Sequence, residues 1–372
     1  MTPRPVTRAR WAAGLAGLCL ALAVPGEPAW SKKAPARAAG RGPNAPEPLP
    51  YARREEVAQF AERVAERNGL DAAWVRATLA AARYQASVTR FIMPPPAGTA
   101  KNWAAYRARF VEPVRIGAGV AFWRANARWL ERAEQVYGVP PEVVVGILGV
   151  ETIYGRQMGG YRAIDALATL AFDFPPGRKD RSDFFRDELE QLLLLCRGAA
   201  RRETCDPLAL RSSYAGALGM PQFMPSSVNR YAVDFDDDGR IDLRESAPDV
   251  IGSVAHYLAA FGWQRGMATH FEVAAPVDAS DRARLLVPDI VPTFSAQEFA
   301  DLGAELGSDA REHAGPLALV ELQNGDAAPR YVAGTANFYA ITRYNWSSYY
   351  ALAVIELGAA VKRQLEAASA KP

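Results

Sequence analysis

Glu151 ends an unusually apolar run. In "VVVGILGVETIYG", Val143 to Gly155, the eight residues before it are all Val, Ile, Leu or Gly. Pro140 and Pro141 precede the run, where a first helical turn tolerates proline, and Gly155 offers a C-cap. The spacing predicts a helix that is apolar on every face and buried all round. A carboxyl at the C-terminal end of such a helix is driven towards its neutral form by desolvation and by the negative end of the helix dipole. An acid still protonated near neutral pH can protonate a leaving oxygen, so the position suits a general acid. A structural ion pair with Arg156 or Arg162 is the alternative.

Three further stretches carry chemistry. "SSYAGALGMPQFMPSS", Ser212 to Ser227, has Gly216 and Gly219 for tight turns or close approach to a ligand. Its Ser213, Tyr214 and Gln222 offer hydrogen bonds, and Met220, Phe223 and Met224 offer apolar faces of the kind that line sugar subsites. A Gly-rich core turn before a helix is the plainer reading. "DFDDDGRIDLRE" fills the EF-hand register: Asp234, Asp236 and Asp238, then Gly239, the backbone carbonyl of Arg240, Asp242 and Glu245. That is a calcium site, against a solvated acidic turn. It lies outside the run carrying Glu151, so calcium is expected to stabilise the fold and leave the chemistry alone. In "NFYAITRYNWSSYYALAV", Tyr344, Asn345, Tyr349 and Tyr350 suit stacking on and bonding to a sugar, or else simply begin an aromatic helix.

The elements that hold these groups are mostly helical. "REEVAQFAERVAERNGL" places Val57, Phe60, Ala61 and Val64 at helical spacing and stops at Asn68-Gly69. Asp71 caps a second helix, three prolines in "FIMPPPAG" break the chain, and "GVAFWRANARWLERAEQVYG" is a helix ending at Gly138. "DFFRDELEQLLLLC" is amphipathic. From Trp263 to Tyr331 the texture becomes short and β-leaning, and from "NFYAITRY" onwards it returns to helix.

The chain has 372 residues, 49% hydrophobic and 23% charged, enough for a sizeable core and far from a disordered composition. Arg4, Arg8 and Arg10 followed by the short apolar run Trp11 to Val24 read as a secretory signal peptide, with an uncleaved anchor as the alternative. Leu18 before Cys19 stands where a small residue is expected, so outer-membrane lipoprotein anchoring is not favoured. Removing residues 1–30 takes away three Arg and one Glu and leaves 40 basic and 40 acidic residues, a balance that asks for no nucleic acid. In an oxidising compartment Cys196 and Cys205 are expected to pair, against two free thiols. Three histidines, far apart, make no zinc site.

Taken in order, "GILGVETIYG", "SYAGALGMPQFMPSS", "DFDDDGRIDL", "DVIGSVAHYL" and "NFYAITRYNWSSYYA" resemble the blocks of the lytic murein transglycosylase B family, over roughly residues 55–360. The resemblance implies an α+β, mainly helical fold: a lysozyme-like catalytic core with an added helical region and a small β-rich region. With the signal peptide (1–30) and a flexible tether (31–50, rich in Ala, Pro, Gly and charge) read from composition, the chain divides further into an N-terminal helical region (51–125), the core with its EF-hand-like loop (126–262), the β-rich region (263–335) and a C-terminal helical segment completing the core (336–372). The resemblance implies Glu151 as the single catalytic acid/base, and Ser213, Gln222, Tyr257, Tyr344, Asn345 and Tyr350 as groups of a glycan cleft. The family's last calcium ligand falls on Asp249, which competes with Glu245 for closing the site. Pro221 stands before Gln222 where that family usually has Gly.

The implied function is cleavage of the β-1,4 bond between N-acetylmuramic acid and N-acetylglucosamine in peptidoglycan, leaving 1,6-anhydro ends, by a periplasmic monomer that needs no cofactor for catalysis. Other cell-wall enzymes are candidate partners. The competing readings are a muramidase that uses water, a non-catalytic wall-binding scaffold and a calcium-binding structural module.

Overall fold

The computed structural model describes residues 48–96, 98–197 and 205–369. The expected signal peptide, Cys19 and all but the last three tether residues lie outside the described residues. Four helices open the fold: α1 (Glu55–Asn68), α2 (Ala72–Ala80), α3 (Ala86–Phe91) and α4 (Trp103–Ala108). α1 buries its apolar stripe, Val57, Phe60, Ala61 and Val64, and ends at Gly69 in the left-handed region (φ 65°). Asp71 caps α2 by accepting from the amides of Ala73 and Trp74 at 2.7 and 3.0 Å. α5 (Pro113–Tyr137) is bent at Asn126, whose Nδ2 donates to Phe122 O and competes with the helical ladder.

α6 (Pro141–Thr152) is the central helix, buried from Val143 to Thr152. After β1 (Tyr161–Arg162) come α7 (Ala163–Phe172) and α8 (Ser182–Arg197), then β2 (Arg211–Ser212), α9 (Pro225–Tyr231) and α10 (Ala247–Ala260). β1 and β2 form a two-stranded antiparallel pair that orients the segment leading into the Gly-rich stretch. Cys196 at the end of α8 is bonded to Cys205.

The section after Trp263 holds more helix than its texture suggests. β3 (His270–Ala274) is followed by α11 (Ala279–Leu286), α12 (Ala296–Asp301), β4 (Glu305–Leu306), α13 (Ser308–Arg311), β5 (Ala318–Asn324) and β6 (Ala327–Gly334). Local caps start two of the short helices: Asp278 before α11, and a reciprocal Ser295/Glu298 capping box before α12. The sheet runs β4-β3-β6-β5, all antiparallel, over its own small core of Leu285, Phe299, Leu306, Leu317 and Leu319.

The chain then returns to the main core through α14 (Ala336–Thr342) and α15 (Ser348–Ser369). α15 crosses α6 with the backbones nearly touching. A Cβ on Gly146 would stand 2.2 Å from Val354 O, and one on Gly358 2.0 Å from Glu142 O. This crossing brings Tyr350 against the end of α6. The fold is α+β and mainly helical, and among the described residues no helix is long and apolar enough to cross a membrane.

Candidate active site

Glu151 is 5% exposed. The helix carrying it ends at Thr152, earlier than the Gly155 cap expected from sequence, and Ile153, Tyr154 and Gly155 follow with φ of 51°, 56° and 88°. Two successive non-glycine residues in the left-handed region are uncommon and persist only where the surroundings over-determine them. Here fully buried Thr152 does so: its Oγ1 donates to Met220 O (2.9 Å) and accepts from Gly155 N (3.0 Å). Sequence reasoning missed Thr152. A hydroxyl beside an acid inside a buried run was the available signal.

Neither arginine alternative applies to Glu151. Arg162 is committed to Asp165 by a bidentate pair at 2.7 and 2.8 Å, and Arg156 is exposed. The carboxyl accepts instead from Tyr350, Oη to Oε1 at 2.6 Å. Burial pushes its pKa from an ordinary 4.5 up to about 7, and the Tyr350 hydrogen bond, which favours the ionised form, pulls the other way.

Aromatic rings close round this group. Tyr344 stacks beside Tyr350 (centroids 6.3 Å apart), Tyr257 lies 4.9 Å from Tyr344, and Phe223 contacts both Tyr257 and Tyr344 at 5.4 and 5.7 Å. Burial raises the phenols of Tyr344 and Tyr350 well above the usual range, and the Glu151 charge adds to it. Tyr257 Oη donates to Arg343 O, and Tyr344 Oη to Pro221 O. Tyr344 and Asn345 lie in a break between α14 and α15, where the sequence suggested uninterrupted helix.

Two polar side chains near this shell keep an acceptor in reserve: Gln222 Oε1 and Asn345 Oδ1 are buried with no hydrogen-bond partner. Such atoms are rare in a protein interior and are satisfied by a ligand or water. Gln222 is itself left-handed (φ 53°), its Nε2 tied to Gly219 O at 2.8 Å. Ser213 is buried, with Oγ accepting from the amides of Ala215 and Ala217 at 3.3 and 3.2 Å, so it shapes the turn as well as offering its proton. Tyr349 sits elsewhere: its Oη donates to Gln323 O and its ring packs on Trp103 and Tyr106.

In the acidic loop, oxygens of Asp234, Asp236 and Asp249 lie within 4.8 Å of one another. Asp236 Oδ1 is buried without a hydrogen-bond partner. Asp249 is 1% exposed in the first turn of α10, and its oxygens accept from Phe235 N and Asp242 N at 2.8 Å each. Burial raises its pKa, with Asp236 adding to the shift. Three converging carboxylates with an orphaned oxygen fit a hard, oxygen-seeking cation. Glu245 is exposed beside Arg244 (3.4 Å), and Asp242 Oδ1 accepts from the amides of Arg244 and Glu245. Asp238 Oδ1 accepts from Arg240 N. The loop also touches the cleft: Met220 N donates to Leu243 O at 2.7 Å.

Residues 52–359 match the transglycosylase SLT domain. The chain is 41% identical, over 319 residues and 84% of each sequence, to membrane-bound lytic murein transglycosylase B of Escherichia coli (strain K12). Among solved structures, lytic transglycosylase SltB1 from Pseudomonas aeruginosa superposes with a TM-score of 0.76 at 40% identity, covering 85% of this chain and 99% of that one. The Escherichia coli lytic transglycosylase Slt35 in complex with calcium gives 0.73 at 38% identity, over 85% and 95%. SltB3 from Pseudomonas aeruginosa in complex with NAG-anhNAM-pentapeptide gives 0.66 at 28% identity, over 83% and 79%.

Proposed function

The chain belongs to the transglycosylase SLT domain family, and from that premise we propose that it is a lytic murein transglycosylase in which Glu151 is the only catalytic carboxyl. The observation that carries this is the burial of Glu151 at the end of α6, 5% exposed, with its carboxyl hydrogen-bonded to Tyr350 at 2.6 Å. Among the described residues the side chains set against that carboxyl are phenols, Tyr350 directly and Tyr344 and Tyr257 beyond it, and its side-chain hydrogen bond comes from Tyr350 rather than from another acid. A glycosidase that works with two carboxyl groups needs the second as nucleophile or as base for water. An enzyme whose nucleophile lies within the substrate needs one group that works twice.

Neutral Glu151 donates its proton to the glycosidic oxygen as the bond from C1 of the N-acetylmuramic acid residue breaks, and the N-acetylglucosamine side leaves as an alcohol. The carboxylate so formed, stabilised by Tyr350, takes the proton of the C6 hydroxyl of the same muramic acid. That oxygen closes on C1 and leaves a 1,6-anhydro end, with no water consumed. Attack from within the same sugar carries the entropic advantage of an intramolecular reaction. A pKa near 7 serves both halves, because the same group must give and then accept a proton.

Ser213, Gln222, Tyr257, Tyr344 and Asn345 form the glycan cleft, and the orphaned oxygens of Gln222 and Asn345 take donors from sugar hydroxyl or acetamido groups. Asp234, Asp236 and Asp249, with Asp238 and the Arg240 carbonyl, hold calcium, which supplies cross-linking charge to the loop and no step of the reaction. The enzyme acts from the periplasmic side of the cell envelope on peptidoglycan strands.

Digestion of purified sacculi with mass spectrometry of the products tests this. Muropeptides lighter by one water than hydrolytic products are expected from the wild type, and none from Glu151→Gln. Reducing ends throughout would establish the water-using muramidase. Undiminished digestion by Glu151→Gln would remove Glu151 from the chemistry.

A further inference from the structure

A carboxyl that passes a proton to a glycosidic oxygen must point one way, so the last turn of α6 has to be held still. That turn ends inside the protein, where its carbonyls cannot turn to water. Ile153 N and Tyr154 N both donate to Leu148 O. Gly149 O, which residue 153 would serve in a continuing helix, receives Arg115 Nε at 2.8 Å instead. Arg115 comes from the first turn of α5 and is 7% exposed. Its Nη1 donates to Arg109 O at 2.6 Å, and its nearest carboxylate is Glu112 at 3.6 Å, already engaged in capping α5 through the amides of Val114 and Arg115. A guanidinium this deeply buried, without a close bidentate carboxylate, is costly. What it gains is the end of the Glu151 helix.

Tyr154 meets the same turn from the other side. Its ring stacks on Phe122 (5.3 Å, 26°), and its Oη lies in a slot between two helices. A Cβ on Gly119 of α5 would stand 2.4 Å from that oxygen, and one on Gly149 of α6 2.5 Å. Both helices are hollowed for one phenol, which is buried without a hydrogen-bond partner beside the Arg115 charge.

We propose that Arg115 and Tyr154 are positioning residues for Glu151: Arg115 ties the last turn of α6 to the start of α5, and Tyr154 wedges the left-handed turn that follows. Neither touches substrate, and the claim rests on the reading of Glu151 as the acid. Misplacing a reacting group by an ångström costs on the order of a hundredfold in rate, so the loss falls on kcat while the glycan cleft and KM remain. A loosened turn also lets water reach the carboxyl, so its ionisation midpoint falls from about 7 towards the ordinary 4.5. Tyr257, Tyr344 and Tyr350, the titratable groups that bear on Glu151 from α10, the α14–α15 break and α15, are untouched in these variants.

The test measures kcat, KM, Tm and the pH profile for Arg115→Met, Arg115→Lys, Tyr154→Leu and Tyr154→Phe on soluble glycan strands, with Glu151→Gln alongside. Expected are a tenfold to hundredfold fall in kcat for Arg115→Met and Tyr154→Leu, KM nearly unchanged, an alkaline limb moved to lower pH, and partial recovery in Arg115→Lys and Tyr154→Phe. A folded variant with wild-type kcat and midpoint, or a kcat loss with an unmoved midpoint, overturns the proposal. Should Arg115→Met not fold, Tyr154→Leu decides alone by the same readings. An active Glu151→Gln would instead bring down the acid assignment. An inactive Glu151→Gln beside wild-type positioning variants would bring down only the clamp.

Discussion

Burial moves the Glu151 carboxyl from an ordinary 4.5 up to about 7, and the same shift acts on the stability of the fold. Below the lower value both folded and unfolded chains hold the proton, and the side chain costs nothing. Between the two the unfolded chain releases its proton while the folded chain keeps it, so stability falls as pH rises. Above about 7 the penalty is complete, about 3 kcal/mol at 1.36 kcal/mol per pKa unit. Glu151→Gln is therefore expected to be the more stable protein by about that amount at about pH 8, and no more stable at about pH 4. Urea unfolding of both proteins at the two pH values measures it, and equal midpoints at the higher pH would contradict the shift. The side chains on this side of the molecule differ in how far sequence exposes them. Glu151 is legible because an acid after eight apolar residues is conspicuous. Thr152 and Arg115 are not, since their partners, Met220 and Gly149, are 68 and 34 residues away and only the packing joins them.

The acidic loop and the first turn of α10 work as one unit. Read along the chain, the EF-hand register points to Glu245, but the backbone turns at Asp242, whose carboxylate takes the amides of Arg244 and Glu245 and directs Glu245 to solvent. Ser246 then caps α10, and Asp249 reaches back from the helix into the loop. Calcium binding should accordingly survive Glu245→Gln and be lost in Asp249→Asn. Calcium at a hundred times its dissociation constant stabilises a folded protein by about 2.7 kcal/mol, so calorimetry with and without a chelator should show a rise in Tm for wild type and Glu245→Gln and none for Asp249→Asn. A Tm rise that persists in Asp249→Asn would return the site to the linear register. The helices with a clear apolar period and the caps at Gly69, Asp71 and Gly138 were readable from the sequence, whereas α11, α12 and α13 were hidden in the β-leaning section, because such short helices bury too few residues to show a period. The break at Tyr344 and Asn345 was hidden too, because no proline or glycine marks it and the Tyr344 hydroxyl that anchors it bonds to Pro221, 123 residues earlier.

Taken whole, the molecule folds several distant segments round one carboxyl. α6 brings Glu151, the Gly-rich stretch brings Phe223, α10 brings Tyr257, the break between α14 and α15 brings Tyr344, and α15 brings Tyr350. The backbone-close crossing of α6 and α15 fixes the two ends of this set against each other. Under the proposed mechanism, such enclosure should govern the outcome of the reaction as well as its rate. Once the glycosidic bond breaks, the C6 hydroxyl competes with water for C1, and an aromatic wall that excludes water favours the internal attack. Tyr344 forms much of that wall through Phe223, Tyr257 and Tyr350, without donating to Glu151 itself. Tyr344→Ala should thus lower the rate and also raise the fraction of reducing ends over anhydro ends. Digestion in oxygen-labelled water counts the two, because only hydrolysis incorporates the label. A slower enzyme with an unchanged ratio would show that the wall binds glycan without governing access of water, and that the choice of nucleophile is made by the sugar's own geometry.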